Sequence, residues 1–382
     1  MNACICAWVS LERAFGLWAP SDLPLFFETQ KPRNPSLILP MRAINQARVL
    51  ILSTVWPVSR SCRIPSLPPP ILTLVFQERS SSAAGVRTHD LVSSLLRRDA
   101  TVDFAATSAV DERSKPHVEA LERLGARPHV VRPNQEAAFV ETLDEVRPDV
   151  VVFDRFYVEE MFSWMVEKHA PDAMRILDMQ DVHALRTWRE LVVKEQLSNG
   201  GLDLDLDLDL DLDLGRVLSA VPPATYEPCL RELAAIHRSD LTLVCSPVEL
   251  DMLTREFAVP GTRLAEAGFF SDGRRQSRRQ EGHGFDTRKN LMMIGNFLHP
   301  PNKDSVIWAC TDLWPAVRAQ LREAGEDDVR LDVYGAYGND QALVSKIGKP
   351  AGVNLCGWAP DLDLMEDYRL LFAPLRFGAG GY

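Results

Sequence analysis

The sequence predicts an α/β chain of two doubly wound domains, the second of them incomplete. Three observations carry this. Between Arg48 and Phe257 short apolar runs alternate with stretches of helical period, the rhythm of a parallel sheet covered by helices. From Lys289 onward four more runs, KNLMMIGNFLHPPNKDSV, RLDVYGAYG, VNLCGWAPDL and RLLFAPLRFGAGGY, each open apolar and turn into Gly, Pro or Asn. A length of 382 residues allows two domains with ample core.

Composition narrows the class. Apolar residues make up 46% and charged residues 25%, ordinary globular values. The net charge of −11, to which one repeat contributes six aspartates, argues against nucleic acid as a broad-surface partner. It leaves room for a local basic pocket that holds a diphosphate. The seven cysteines are scattered and form no C-x-x-C pair, which reads as a reduced compartment without structural zinc. No apolar run approaches the roughly 20 residues of a membrane helix. A soluble, cytoplasmic protein is expected, with peripheral membrane contact and organelle targeting left open.

In chain order, residues 1–47 are expected to be a leader or a mis-assigned segment, since CICAWV is too short and lacks a basic start for a secretory signal. The first domain spans 48–270. Its opening strand is Arg48–Trp56, RVLILSTVW, and its glycine turn is the later SSSAAGVRTHD. Between them 58–77 holds four prolines and an apolar tail without a period that serves the fold. Long structureless insertions rarely interrupt such turns. Val codons begin GT and Gln codons can end AG, so a retained intron is the preferred reading and a surface loop the alternative. Helices are then predicted over Val86–Arg98, Pro116–Leu124, Gln135–Val146, Val158–His169 and Ala184–Gln196. The strands between them are Thr101–Thr107, Pro128–Arg132, Asp149–Phe153 and Met174–Met179. A second insertion, 201–214, is a Leu-Asp repeat. With Asp at every second position it gains little from strand pairing, so it is read as a solvated expansion without chemistry. Helix Tyr226–His237, strand Leu241–Cys245 and helix Val248–Phe257 complete the domain. The basic stretch 271–287 reads as an interdomain linker; its four arginines lack the interleaved aromatics of a nucleic-acid site.

The second domain, 288–382, alternates strand and helix. Asp304–Gly325 places Val306, Ile307, Leu313, Trp314, Val317 and Leu321 close to helical spacing. The loops Asn296–Lys303, Gly335–Asn339 and Phe377–Gly381 are expected at one edge of the sheet, where open α/β sheets bind ligands. The chain stops at Tyr382, where a further helix is expected.

The order IGNF-HPPN, VYG, GW-PDL, APLRFGAG resembles the donor-binding half of the GT-B glycosyltransferases, in the large retaining group called family four. The resemblance covers nearly all of Lys289–Tyr382 and, more loosely, Arg48–Trp56 and Ser80–Phe270. It implies two Rossmann-like domains and transfer of a hexose from a nucleotide-diphosphate sugar with retention. The acceptor is left open among glycan, lipid and small molecule. It implies no metal and no cofactor beyond the donor itself. Helix N-termini, backbone N–H groups and basic side chains would then neutralise the leaving diphosphate.

Candidate residues follow from those matches. Gly85, before the first helix, would let backbone approach a phosphate, with Arg87 after it and His89 a turn further on. Against this stand a simple tight turn and an ordinary surface histidine. His183, in LDMQDVHALR, is similar to the histidine that the family carries near the reacting sugar; the competing reading is a first-turn residue satisfied by Asp181 or solvent. On the donor side are Asn302 and Lys303, with Asn296 where the family often has arginine. Arg376 stands in the last loop with Gly378, Gly380 and Gly381, which read as a phosphate or sugar cradle. Leu375-Arg376 occupies the place of a family glutamate, and a second glutamate would lie beyond Tyr382. A non-catalytic remnant that binds nucleotide sugars weakly and a GT-B sugar-nucleotide epimerase are therefore the alternatives.

Overall fold

A computed structural model of the chain describes residues 47–54, 83–112, 114–199, 212–268, 284–359 and 363–380. The insertion 58–77, most of the leader and of the linker, Gly381 and residues 201–211 of the repeat lie outside the described residues. The chain divides into two compact units: Met1–Ala184 with Pro222–Ser271 and Ala379–Tyr382, and Leu185–Val221 with Asp272–Gly378.

The first unit is built on a seven-stranded parallel sheet of order β3-β2-β1-β4-β5-β6-β7. The strands are β1 (Arg48–Ser53), β2 (Thr101–Ala106), β3 (Arg127–Val130), β4 (Val150–Asp154), β5 (Met174–Asp178), β6 (Leu241–Val244) and β7 (Leu264–Glu266). The helices are α1 (Ala83–Leu96), α2 (Lys115–Leu124), α3 (Glu136–Val146), α4 (Phe156–His169), α5 (His183–Asn199), which continues into the second unit, α6 (Leu214–Ser219), which belongs to that unit, α7 (Glu227–Arg238) and α8 (Pro247–Arg255). Central strands such as VVVFD are apolar up to their last residue because a parallel sheet buries both faces. On one face Val49, Ile51, Val102, Phe104 and Val152 pack against Leu91, Val92 and Leu95 of α1 and Leu121 of α2. The alternate residues Leu50, Leu52, Val151, Phe153 and Leu177 are equally buried and face the other way. The order of strands reverses between β1 and β4, so the crevice of this sheet opens at their carboxyl ends.

The second unit carries a four-stranded parallel sheet, β10-β9-β8-β11, from β8 (Leu291–Ile294), β9 (Leu331–Tyr334), β10 (Val353–Gly357) and β11 (Leu370–Leu371). Val306, Trp314, Val329, Leu331, Val333, Leu343 and Ile347 form its core, with Phe372 packed at the edge. Leu370 and Leu371 of β11 are exposed.

Local detail departs from the sequence reading at two points, the first helix of the second unit and the end of the repeat. The stretch expected as one helix over Asp304–Gly325 starts earlier, as α9 (Pro300–Trp308), and reaches α10 (Trp314–Glu323) through a π-turn at Ala309–Leu313. Pro315 has no N–H for the helical ladder, and a π-turn before it is how the helix continues. The helix α11 (Gln341–Ile347) begins on Asp340, whose carboxylate accepts from the Leu343 N–H at 3.0 Å. The end of the Leu-Asp repeat is not simply solvated. Leu212 packs against Val192, Val193, Val217 and Phe377, and Asp213 caps α6 by accepting from the Arg216 N–H at 2.9 Å. Among the described residues no helix is long and apolar enough to cross a membrane.

Candidate functional site

At the crevice of the first sheet, three strands end in polar residues: Ser53, Asp154 and Asp178, all buried. The Ser53 hydroxyl donates to Asp154 Oδ2 at 2.6 Å. Gln180, at φ +64°, turns its amide inward to Asp154 Oδ1 and Thr88 Oγ1, both at 3.1 Å, and to Asp178 Oδ2 at 3.3 Å. Arg87, wholly buried in α1, donates to Asp178 Oδ1 at 2.9 Å and to the Gly268 carbonyl. Burial depresses the guanidinium pKa, but Asp178, Cys245 and Asp154 outweigh it and the net direction is upward. The arginine that the sequence offers to a phosphate thus braces α1 against β5 and the loop after β7.

The other first-unit candidates separate. Gly85 lies within the first turn of α1, not in a turn before it, because α1 starts at Ala83. His89 lies beside the buried His117 of α2, whose pKa is lowered by burial and by His89, and 3.6 Å from Asp90 Oδ1. It does not join the crevice cluster.

His183 begins α5 at the carboxyl end of β5. Glu232, buried in α7, accepts from the His183 and Ala184 N–H groups at 2.8 Å each, and Glu249 of α8 accepts from the Val182 N–H at 2.8 Å. Two carboxylates thus complement the positive end of α5. The His183 ring nitrogen Nδ1 lies 3.1 Å from the Asp181 carbonyl, 3.3 Å from Asp181 Oδ1 and 3.4 Å from Glu232 Oε1. All three are acceptors, so in the neutral ring Nδ1 carries the proton and Nε2 is the basic nitrogen. Phe156 and Tyr157 wall the ring edge-to-face, with centroids at 5.5 and 6.0 Å. Before them Arg155 adopts φ 77°, ψ 159°, a backbone region that is almost the preserve of glycine and costs about 1–3 kcal/mol for other residues.

In the second unit the order of strands reverses between β8 and β11. Three strand-end glycines meet there and beside it. Gly335, at φ +153°, presses so closely on Gly295 that a Cβ would lie 1.8 Å from its carbonyl oxygen, and its N–H donates to the Gly357 carbonyl at 2.6 Å. The glycines of IGNF, VYG and LCGW are therefore packing requirements of this edge. Asn296 is buried and folds the turn into α9 by accepting from the Leu298 N–H at 3.0 Å; Asn302 donates to its carbonyl at 3.2 Å. Lys303, half-buried in the first turn of α9, has no ion-pair partner among the described residues. Arg376 forks onto Asp304 at 2.9 and 2.5 Å and lies 5.4 Å from the Trp308 ring centroid. The Gly378 carbonyl accepts from Arg189 at 3.0 Å, and a Cβ on Gly378 would meet nothing within 4 Å. Gly380 is half-exposed and groups with the first unit. Asn302, Lys303 and Arg376 thus gather at one sheet edge.

Sequence reasoning passed over Asp154, Asp178, Gln180, Arg155 and Glu232. The two aspartates had a readable signal, since VVVFD and RILD are apolar strands that end in a carboxylate.

These geometries belong to a recognisable class: two Rossmann-like α/β units, each with polar residues at the carboxyl edge of a parallel sheet, the GT-B fold. No family model and no curated protein matches the chain. Among solved structures it is similar to sucrose-phosphate synthase from Thermosynechococcus elongatus, with TM-score 0.52 at 13% identity over 87% of this chain and 77% of that one. It is also similar to UDP-N-acetylglucosamine 2-epimerase from Rickettsia bellii (TM-score 0.44, 8% identity, 85% and 73% covered). A third similarity is to the lipopolysaccharide outer core galactosyltransferase WaaB (TM-score 0.41, 10% identity, 85% and 72% covered). At these identities the likeness is one of fold.

Proposed function

We propose that the chain is a glycosyltransferase that moves a hexose from a nucleotide-diphosphate sugar to a hydroxyl acceptor, with retention. The observation that carries this reading is the turn from β8 into α9 at the switch point of the second sheet. There a helix that opens on Pro300-Pro301, which carry no N–H, presents its positive end with the Asn302 N–H, and Lys303 stands in the same first turn after the packed glycine edge. A helix N-terminus with an adjacent cation suits a diphosphate whose charge grows as the sugar leaves. The sucrose-phosphate synthase fold supports the reading by analogy of architecture.

In this scheme the second unit would hold the diphosphate of the donor and His183 is the proposed catalytic residue; the bond from the anomeric carbon to the diphosphate oxygen breaks as the acceptor oxygen bonds to that carbon, its proton passing to the leaving oxygen. Among the described residues of the first-unit crevice, Arg87 is committed to Asp178.

Calorimetry against UDP-, GDP- and ADP-sugars, with a transfer assay for the sugar that binds, tests the proposal. Lys303→Ala should weaken nucleotide binding about tenfold, the scale of one charge-assisted contact. His183→Ala should reduce turnover at least tenfold while donor affinity stays within about twofold. Failure to bind any nucleotide sugar would refute the reading. Binding without transfer would select the non-catalytic alternative.

A further inference from the structure

We propose that Arg189 of α5 is a positioning residue for the Arg376 guanidinium, acting through the loop that follows β11; its bearing on the reaction rests on the diphosphate site proposed above. The pairing of β11 with β8 covers Leu370 and Leu371 and closes with the Phe372 N–H donating to the Met292 carbonyl at 2.7 Å. The chain then leaves the sheet, and Arg376, Phe377 and Gly378 each meet other elements of the second unit. Arg376 forks onto Asp304 of α9 at 2.9 and 2.5 Å. Phe377 is buried with Val192 and Val193 of α5 and Val217 of α6. The Gly378 carbonyl accepts from Arg189 Nη1 at 3.0 Å, and the Leu218 carbonyl of α6 accepts from Arg189 Nη2 at 2.6 Å.

Arg189, Val192 and Val193 stand at i, i+3 and i+4 on α5, so the guanidinium and the apolar contacts reach the loop from one face of one helix. A guanidinium carries its donors in a planar, fixed fork, so a single side chain holds two carbonyls of different elements at a set separation. Arg189 is 7% exposed, which keeps water from replacing it. The consequence falls on α9. Asp304 directly follows Lys303, and an uncompensated carboxylate there would oppose a diphosphate at the positive end of the helix. Arg376 pairs that carboxylate and lies over the Trp308 ring, 5.4 Å from its centroid. Holding Gly378, two residues on, keeps Arg376 within reach of Asp304.

The test is exchange of the Arg376 Nε proton with water in the full chain, read by proton–nitrogen correlation and assigned with Arg376→Lys. The Trp314 indole N–H, which donates to the Ala351 carbonyl at 2.9 Å in the core of the same unit, is the internal reference. In Arg189→Met, which keeps the apolar stem, exchange at Arg376 should rise about tenfold while Trp314 stays within about twofold. Arg189→Lys keeps the charge but not the fork; it should give a rise of about threefold, and it decides the matter if the methionine variant fails to fold. An unchanged rate at Arg376 in both variants, or a rise matched at Trp314, would overturn the proposal. Calorimetry with inorganic pyrophosphate reads the bearing on the donor. Arg189→Met should weaken binding about fivefold, and in an Asp304→Asn background the same substitution should change it less than about twofold. An unchanged affinity in Arg189→Met, or a loss of the same size in both backgrounds, would overturn the route through Asp304. A wild-type chain that binds no pyrophosphate would sink the diphosphate reading, and the exchange rates would still decide whether Arg189 positions Arg376.

Discussion

Replacing Arg87 by methionine separates an internal brace from a ligand contact. The guanidinium side chain is 0% exposed and its partner Asp178 3% exposed, and they meet at 2.9 Å. Methionine keeps the apolar stem but leaves a buried carboxylate without its cation, which costs about 3–5 kcal/mol. Asp178→Asn should cost a similar amount by stranding the guanidinium. In the double variant both charges are gone, so the loss should fall below the sum of the singles by about 2–3 kcal/mol. For a unit of this size one kcal/mol moves the melting temperature about 2–4 °C, so Arg87→Met should lower it by about 6–20 °C. Differential scanning calorimetry on the four chains closes the cycle. A single-variant loss under about 1 kcal/mol, or additivity within about 0.5 kcal/mol, would refute the brace and return Arg87 to the list of residues open to a phosphate.

Two further perturbations are expected to be decisive. Gly335→Ala should cost the second unit about 2–6 kcal/mol, since it combines backbone strain with a backbone clash, whereas Gly378→Ala, whose Cβ meets nothing within 4 Å, should be neutral in denaturant unfolding. Equal effects at the two glycines would contradict the packing account. Asp103 is buried, which raises a carboxyl pKa, but hydrogen bonds from His129 at 2.7 Å and Arg127 at 2.7 Å overcome that and hold it below the usual range. With the folded pKa below the unfolded value near 3.9, this contribution is complete above about pH 4 and is lost as pH falls through the folded value. Asp103→Asn should therefore flatten the acid limb of the stability curve below pH 4, and a limb of unchanged slope would count against the account.

Much of the architecture was legible because it is written locally. RVLILS, VVVFD and RILD are apolar runs bounded by polar residues, and their alternation with helical stretches leaves few topologies for a parallel sheet. The glycines of IGNF, VYG and LCGW and the histidine of DVHALR were visible as chemistry without a cause. Only the tertiary structure supplied causes, because each depends on partners far along the chain. Arg87 and Asp178 are separated by 91 residues, and the His183 N–H and Glu232 by 49. Nothing periodic in the sequence records which buried carboxylate meets which cation. The same holds for Gly335, whose need for a missing side chain comes from the Gly295 carbonyl on the neighbouring strand. The sequence by itself determined the elements and their rhythm, since hydrogen bonding within a helix and alternation along a strand are short-range. Which candidate residues remain open to a ligand was decided by packing, since burial and charge pairing exist only once the strands are side by side.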